Sequence, residues 1–273
     1  MKFVIQLSLL FALLLTGCTT IDAVTGRKTT NFYSLQSDVE LGSQVYEETI
    51  KEMRTRGVPI NADAARVAQL KEMVRRISAV SNLPDLPYEV TLIQTNIVNA
   101  MAAPGGKIMV YEGLWNTKDG LVKDDDELAA VLAHEIAHVN CRHSTEAMTR
   151  AMPVNAAALV GVIAAKDTKY EQFAQIAAAG GLFVYNGMWM TRYSRMDEGE
   201  ADSVGLMYMA KAGYDPRAAL RIWERAAQRR SGADPAASIF STHPADAVRL
   251  QNLRTQLPAA LAAYEASPYR RVL

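Results

Sequence analysis

Residues 124–144 read DDDELAAVLAHEIAHVNCRHS, and the rest of the chain is best read outward from them. Asp124 or Asp125 can cap a helix, and Asp126 and Glu127 place negative charge in its first turn, where the helix dipole favours it. Leu128, Val131, Leu132, Ile136 and Val139 recur at helical spacing and predict a core-facing stripe. The run contains no Gly or Pro, so it predicts a rigid, buried helix. His134 and His138 then stand one turn apart on one face, and both imidazoles can reach a single metal ion. Glu135 lies about 100° round the helix, within reach of a water beside that ion.

The chain has four histidines, three of them within 134–143 and the fourth, His243, in an STHP turn. Little histidine is spent elsewhere, so HEIAH reads as the metal site of a zinc peptidase. Cys141 shares the face, but it lies seven residues past His134, a rise of about 10.5 Å, too far for one ion. It reads as a small buried hydrophobe. Angular count points His143 away from the pair, to the surface or to a supporting position. A catalytic zinc site needs a third protein ligand. Residues 195–213, RMDEGEADSVGLMYMAKAG, offer Glu198 and Asp202 on one helix face. Glu198 can complete the site, and Asp202 can hold a ligand histidine by its other ring nitrogen. Spacing alone keeps Glu200 as a competitor, and a solvated acidic face as the alternative.

HEIAH followed by Glu198-Gly-Glu-Ala-Asp202 resembles the gluzincin family of the CAAX prenyl endopeptidases, the HtpX heat-shock proteases and the BepA-type periplasmic lipoproteins. That family carries HExxH and then ExxxD, and Ala201-Asp202 matches the end of the second motif. The resemblance therefore places the ligand at Glu198. NAMAAPGGKIMVYEGL at 99–114 resembles the strand before the zinc helix, and AGYDPRAALRIWERA at 212–226 resembles a helix break and restart. His243-Pro244 with Arg249 resembles a C-terminal signature, so the likeness runs from roughly residue 30 to 255. It implies one zinc ion on His134, His138 and Glu198, Glu135 as general base and Asp202 as orienting partner. His243 and Arg249 are candidates to steady the oxyanion. Arg249 is equally a candidate structural salt-bridge partner, and His243 a candidate for binding the metal and holding the enzyme latent.

Residues 1–18, MKFVIQLSLLFALLLTGC, carry an early Lys2 and an apolar run. They read as a signal peptide (1–17), too short to span a bilayer comfortably. Leu15-Thr16-Gly17-Cys18 resembles a lipobox, which implies a lipidated Cys18 and a membrane tether by acyl chains. Thr19 stands where an Asp would suggest inner-membrane retention, and the resemblance to sorted Gram-negative lipoproteins implies attachment to the outer membrane on its periplasmic side. Residues 18–35 read as a lipidated start and flexible tether, 36–260 as one metallopeptidase domain and 261–273 as a tail.

Lys plus Arg equals Asp plus Glu, 29 each. No basic stripe points to nucleic acid. The fold expected is mainly α with a small β-sheet, a single-domain zincin-like α+β protein. Helices are expected at about 37–56, 63–80, 216–230 and 245–257, and strands at 88–94 and 107–111. Apolar stretches 154–165 and 173–190 read as core helices, the first too short to span a bilayer and the second interrupted by Gly and Asn. A strand within 107–111 is expected to pair with an extended substrate. The family resemblance implies zinc-dependent endopeptidase action on misfolded or stalled envelope polypeptides. The alternative is an outer-membrane assembly chaperone that uses the same cleft to hold clients.

Overall fold

The computed structural model describes residues 19–115, 120–152, 166, 193–229, 243 and 247–270. A hairpin of Thr19–Ile21 (β1) and Lys28–Thr30 (β2) comes first, then helices Leu35–Thr55 (α1) and Ala64–Ala79 (α2). Strands Glu89–Ile93 (β3), Ala100–Ala103 (β4) and Lys107–Tyr111 (β5) follow. Helices Asp125–Asn140 (α3), Arg195–Lys211 (α4), Arg217–Arg229 (α5) and Ala247–Glu265 (α6) complete the described elements. The protein is thus mainly α with a small sheet, as its periodicities indicate. The leader, Cys18 and the stretches 154–165 and 173–190 lie outside the described residues. Among the described residues no helix is long and apolar enough to cross a membrane.

α3 is the central helix. Asp124 caps it by accepting from the Glu127 amide, and every residue from Glu127 to Asn140 is buried. It packs on α2, α4, α5 and β4, which is why it is apolar on all sides rather than on one stripe. The buried Glu127 carboxylate is held by Arg225 of α5, at 2.7 and 2.9 Å. α4 starts with a capping box between Ser194 and Asp197. It crosses α3 at Gly205, where a Cβ would stand 3.0 Å from the backbone of Ala133 and His134. Glycine there lets the two helices that carry the acidic and imidazole groups approach closely.

Four expectations need correction. The sheet order is β3–β5–β4, with β5 parallel to β3 and antiparallel to β4. Residues 107–111 are therefore paired on both sides and cannot take a peptide; β4 is the edge strand beside α3. α6 continues through Pro258 to Glu265 and buries Ala260, so the last helix runs beyond its expected end at Leu257. α3 stops at Asn140, and Arg142 adopts a left-handed φ of 56°. Its guanidinium grips Asp38 of α1 at 2.6 and 3.1 Å, which holds the chain reversal in place before residues 143–152 resume as helix.

The fourth concerns residues 19–32, which fold against the body instead of forming a free tether. Asp22 caps the hairpin turn, accepting from the amides of Val24 (2.9 Å) and Thr25 (2.8 Å), and Gly26 takes the positive φ. Asn31 then donates to Thr145 (2.9 Å), and Arg27 binds Glu146 (2.8 Å) and Glu200 (3.1 Å).

Candidate metal centre

α3 presents His134 and His138, α4 presents Glu198, and His243 comes in from the C-terminal side; ligand atoms from these four buried residues lie within 4.8 Å of one another. The two Nε2 atoms of His134 and His138 are 3.0 Å apart. Glu198 Oε2 lies 3.5 Å from His134 Nε2, and its Oε1 lies 3.6 Å from His138 Nε2. His243 Nδ1 is 2.9 Å from Glu198 Oε1 and 3.2 Å from His134 Nε2. The residues on either side of His243 lie outside the described set.

The supporting contacts arise from helix geometry. Asp202, one turn beyond Glu198, faces His134 Nδ1 at 3.1 Å. The Asp202 charge so close to Nδ1 favours a proton there, an arrangement that would leave Nε2 to face a metal at the centre. Arg249 of α6 grips Asp202 at 2.6 and 2.7 Å and reaches Glu198 Oε2 at 2.8 Å, with its plane 4.4 Å over Trp223. Arg249 is therefore committed to the two carboxylates, and of its two expected roles the ion-pair one holds. Glu200 points to the other side of α4 and is absent from the cluster. His143, expected at the surface or in support, is fully buried and lies behind His138, Nδ1 to Nδ1 at 2.8 Å. Tyr193 stacks on His138 at 4.0 Å between centroids. Neither Tyr193 nor Trp223 carried a spacing signal; only the folded chain brings them here. Cys141 is a buried free thiol whose pKa is pushed up by burial.

The electrostatics suit a cation. Burial disfavours charge on His134, but the Asp202 and Glu198 carboxylates outweigh it and lift its pKa to about 9. His138, with the same burial and the neighbouring His134 charge, is driven well below the ordinary imidazole range. Burial alone would raise Glu198, yet the surrounding imidazoles hold it well below the usual carboxylate range. Glu135 is buried beside the cluster, and neither of its oxygens accepts a hydrogen bond among the described residues. His243 Nε2 stands 3.4 Å from its Oε1. Two imidazoles and a carboxylate crowded together, next to a buried carboxylate that accepts no hydrogen bond among the described residues, are a donor set that a divalent metal satisfies.

The profile of Peptidase family M48 matches residues 64–257, which hold all of these groups. The chain belongs to peptidase family M48. Among its M48 relatives, the mitochondrial metalloendopeptidase OMA1 of Schizosaccharomyces pombe is 33% identical over 246 residues, covering 89% of this chain and 68% of that protein. The putative beta-barrel assembly-enhancing protease of Vibrio cholerae is 30% identical over 224 residues, covering 81% of this chain and 44% of its own length. The beta-barrel assembly-enhancing protease of Escherichia coli K12 is 26% identical over 227 residues, with 82% and 45% covered. The chain thus spans less than half the length of these two bacterial relatives. Family and relatives agree on the enzyme class: this M48 chain is a metalloendopeptidase.

Proposed function

We propose that the protein is a zinc endopeptidase acting on unfolded or misassembled polypeptides of a bacterial envelope, lipid-anchored through Cys18 at the periplasmic side of the outer membrane. The observation that carries the catalytic part is the convergence of His134, His138 and Glu198, with the buried Glu135 carboxylate, which accepts no hydrogen bond among the described residues, beside them. Zinc held by these three residues would polarise the scissile carbonyl and acidify the attacking water. Glu135 takes the proton of that water and passes it to the leaving amine. Asp202 and Arg249 keep His134 and Glu198 in place. The outer edge of β4 suits main-chain pairing with an extended peptide, a mode that reads backbone more than side chains and fits unfolded clients. The lipobox-like Leu15–Cys18 and the names of the two bacterial relatives support the envelope setting.

His243 adds a latent state. Its Nδ1 lies among the donors, so its ring occupies space that substrate needs. His243→Ala should raise casein hydrolysis by up to about tenfold, the gain expected if the open form goes from about a tenth of the population to all of it. A large loss would instead assign His243 to the reaction. The core reading is tested by metal analysis of the purified chain: about one zinc per molecule is expected, absent in His134→Ala and accompanied by loss of casein cleavage. A wild-type chain that takes up no zinc would end the proposal.

A further inference from the structure

Behind His138 runs a line of buried polar contacts that the chemistry above does not use. His138 Nδ1 meets His143 Nδ1 at 2.8 Å, and His143 Nε2 meets Glu200 Oε2 at 3.0 Å. Glu200 is in turn held by Arg27 of the β1–β2 turn, through Nε at 3.2 Å and Nη2 at 3.1 Å. Arg27 is itself anchored on Glu146, at 3.2 and 2.8 Å, and Glu146 on Arg150 at 2.8 Å.

The protons along this line have one arrangement compatible with a metal on His138. An ionised carboxylate only accepts, so His143 Nε2 must donate to Glu200. In a neutral ring, His143 Nδ1 is then the acceptor, and His138 Nδ1 must donate to it. That leaves the lone pair of His138 on Nε2, which faces Glu198 and His134. His134 obtains the same setting from Asp202 directly. Among the described residues no carboxylate meets His138 Nδ1, and the same setting reaches it through His143.

We propose that Arg27, at the N-terminal hairpin, is a positioning residue of the metal centre: by fixing Glu200 it sets the His143 and His138 tautomers that present Nε2 to the metal. The inference rests on the metal reading above. Cys141, His143 and Glu200 also form a compact trio. It is not read as a second metal site, because burial opposes the thiolate and the other two residues are already committed to this line.

The test is zinc affinity of the full chain, measured by competition with a chromophoric chelator, with thermal unfolding of each apo-protein as the check on folding. Removing partners behind a ligand histidine typically weakens metal binding by about 10–100-fold. Arg27→Met is expected to fall in that range, with Arg27→Lys recovering part of the loss. Glu200→Gln keeps an oxygen that accepts from His143 and should bind zinc far better than Glu200→Leu; this pair needs no change in the hairpin. The imidazole N–H proton of His138, observed by NMR in the zinc-loaded protein, should be protected from solvent exchange in the wild type and lose protection in Arg27→Met. Zinc affinity of Arg27→Met within about twofold of wild type, or equal losses in Glu200→Gln and Glu200→Leu, overturns the relay while leaving the metal site standing. A wild type that binds no zinc overturns both.

Discussion

Glu135→Gln should leave zinc uptake and thermal stability near wild type while cutting casein hydrolysis by about 10²–10⁴-fold, the range for losing a general acid–base group. The side chain is buried and its oxygens accept no hydrogen bond among the described residues, so the amide breaks no hydrogen bond and alters only the charge facing His243 Nε2 at 3.4 Å. Its volume is nearly the same, which keeps the packing against His243. What disappears is the ability to take a proton from water and return it to the amine. Binding of unfolded clients should persist. A variant that retains more than about a tenth of wild-type turnover would remove Glu135 from the base role, since even the weakest such groups contribute more. A variant that loses cleavage but still promotes outer-membrane protein assembly would show a holding function beside the hydrolytic one.

Arg249→Met should be among the most destabilising single changes in the described core. It strips the cation from two buried carboxylates, Asp202 and Glu198, that Arg249 contacts at 2.6–2.8 Å. Breaking a buried ion pair from one side typically costs about 3–5 kcal/mol, because the remaining charge stays buried without compensation. The urea midpoint of the apo-protein should drop accordingly, with little change in slope. Arg249→Lys should recover little, since an ammonium cannot reproduce the two-pronged grip on Asp202. The effect carries a pH signature. Burial would raise Asp202, but Arg249 more than offsets it and depresses the native pKa. A depressed carboxylate contributes stability above its unfolded pKa, about 3.9, and loses that contribution as pH falls through the native value. The gap between wild type and Arg249→Met should therefore be full at pH 7 and shrink below about pH 4. An unfolding free energy within about 1 kcal/mol of wild type at pH 7 would contradict the ion-pair assignment.

What could be read in the sequence follows from how local each signal is. The α3 helix and its two histidines depend on spacing within one element, and the periodicity of 124–139 carries them. Glu198 and Glu200 could not be separated by spacing alone. They sit about 200° apart around the helix, so which one meets α3 depends on how α4 is rolled, and packing at Gly205 sets that. His143 takes the supporting one of its two expected places, though not by way of the angular count. The angular count assumed an unbroken helix, but Arg142 turns left-handed and swings His143 back beneath His138. Its hold on Asp38, more than 100 positions away, leaves no trace in the local pattern. The hairpin at 19–30 did have a signal, β-branched residues flanking Asp22 and Gly26, but its threonines read equally well as a polar spacer.

Arg27 reaches Glu200 across 173 positions, and Arg142 reaches Asp38 across 104. Loops of that length carry an entropic cost that must be met before their contacts give anything back, so such contacts close late. On the proposed relay, the metal centre is completed only when the hairpin at 19–30 and the helix near position 200 are both in place. A half-made copy, surrounded by unfinished neighbours of its own kind, lacks the equipment to digest them.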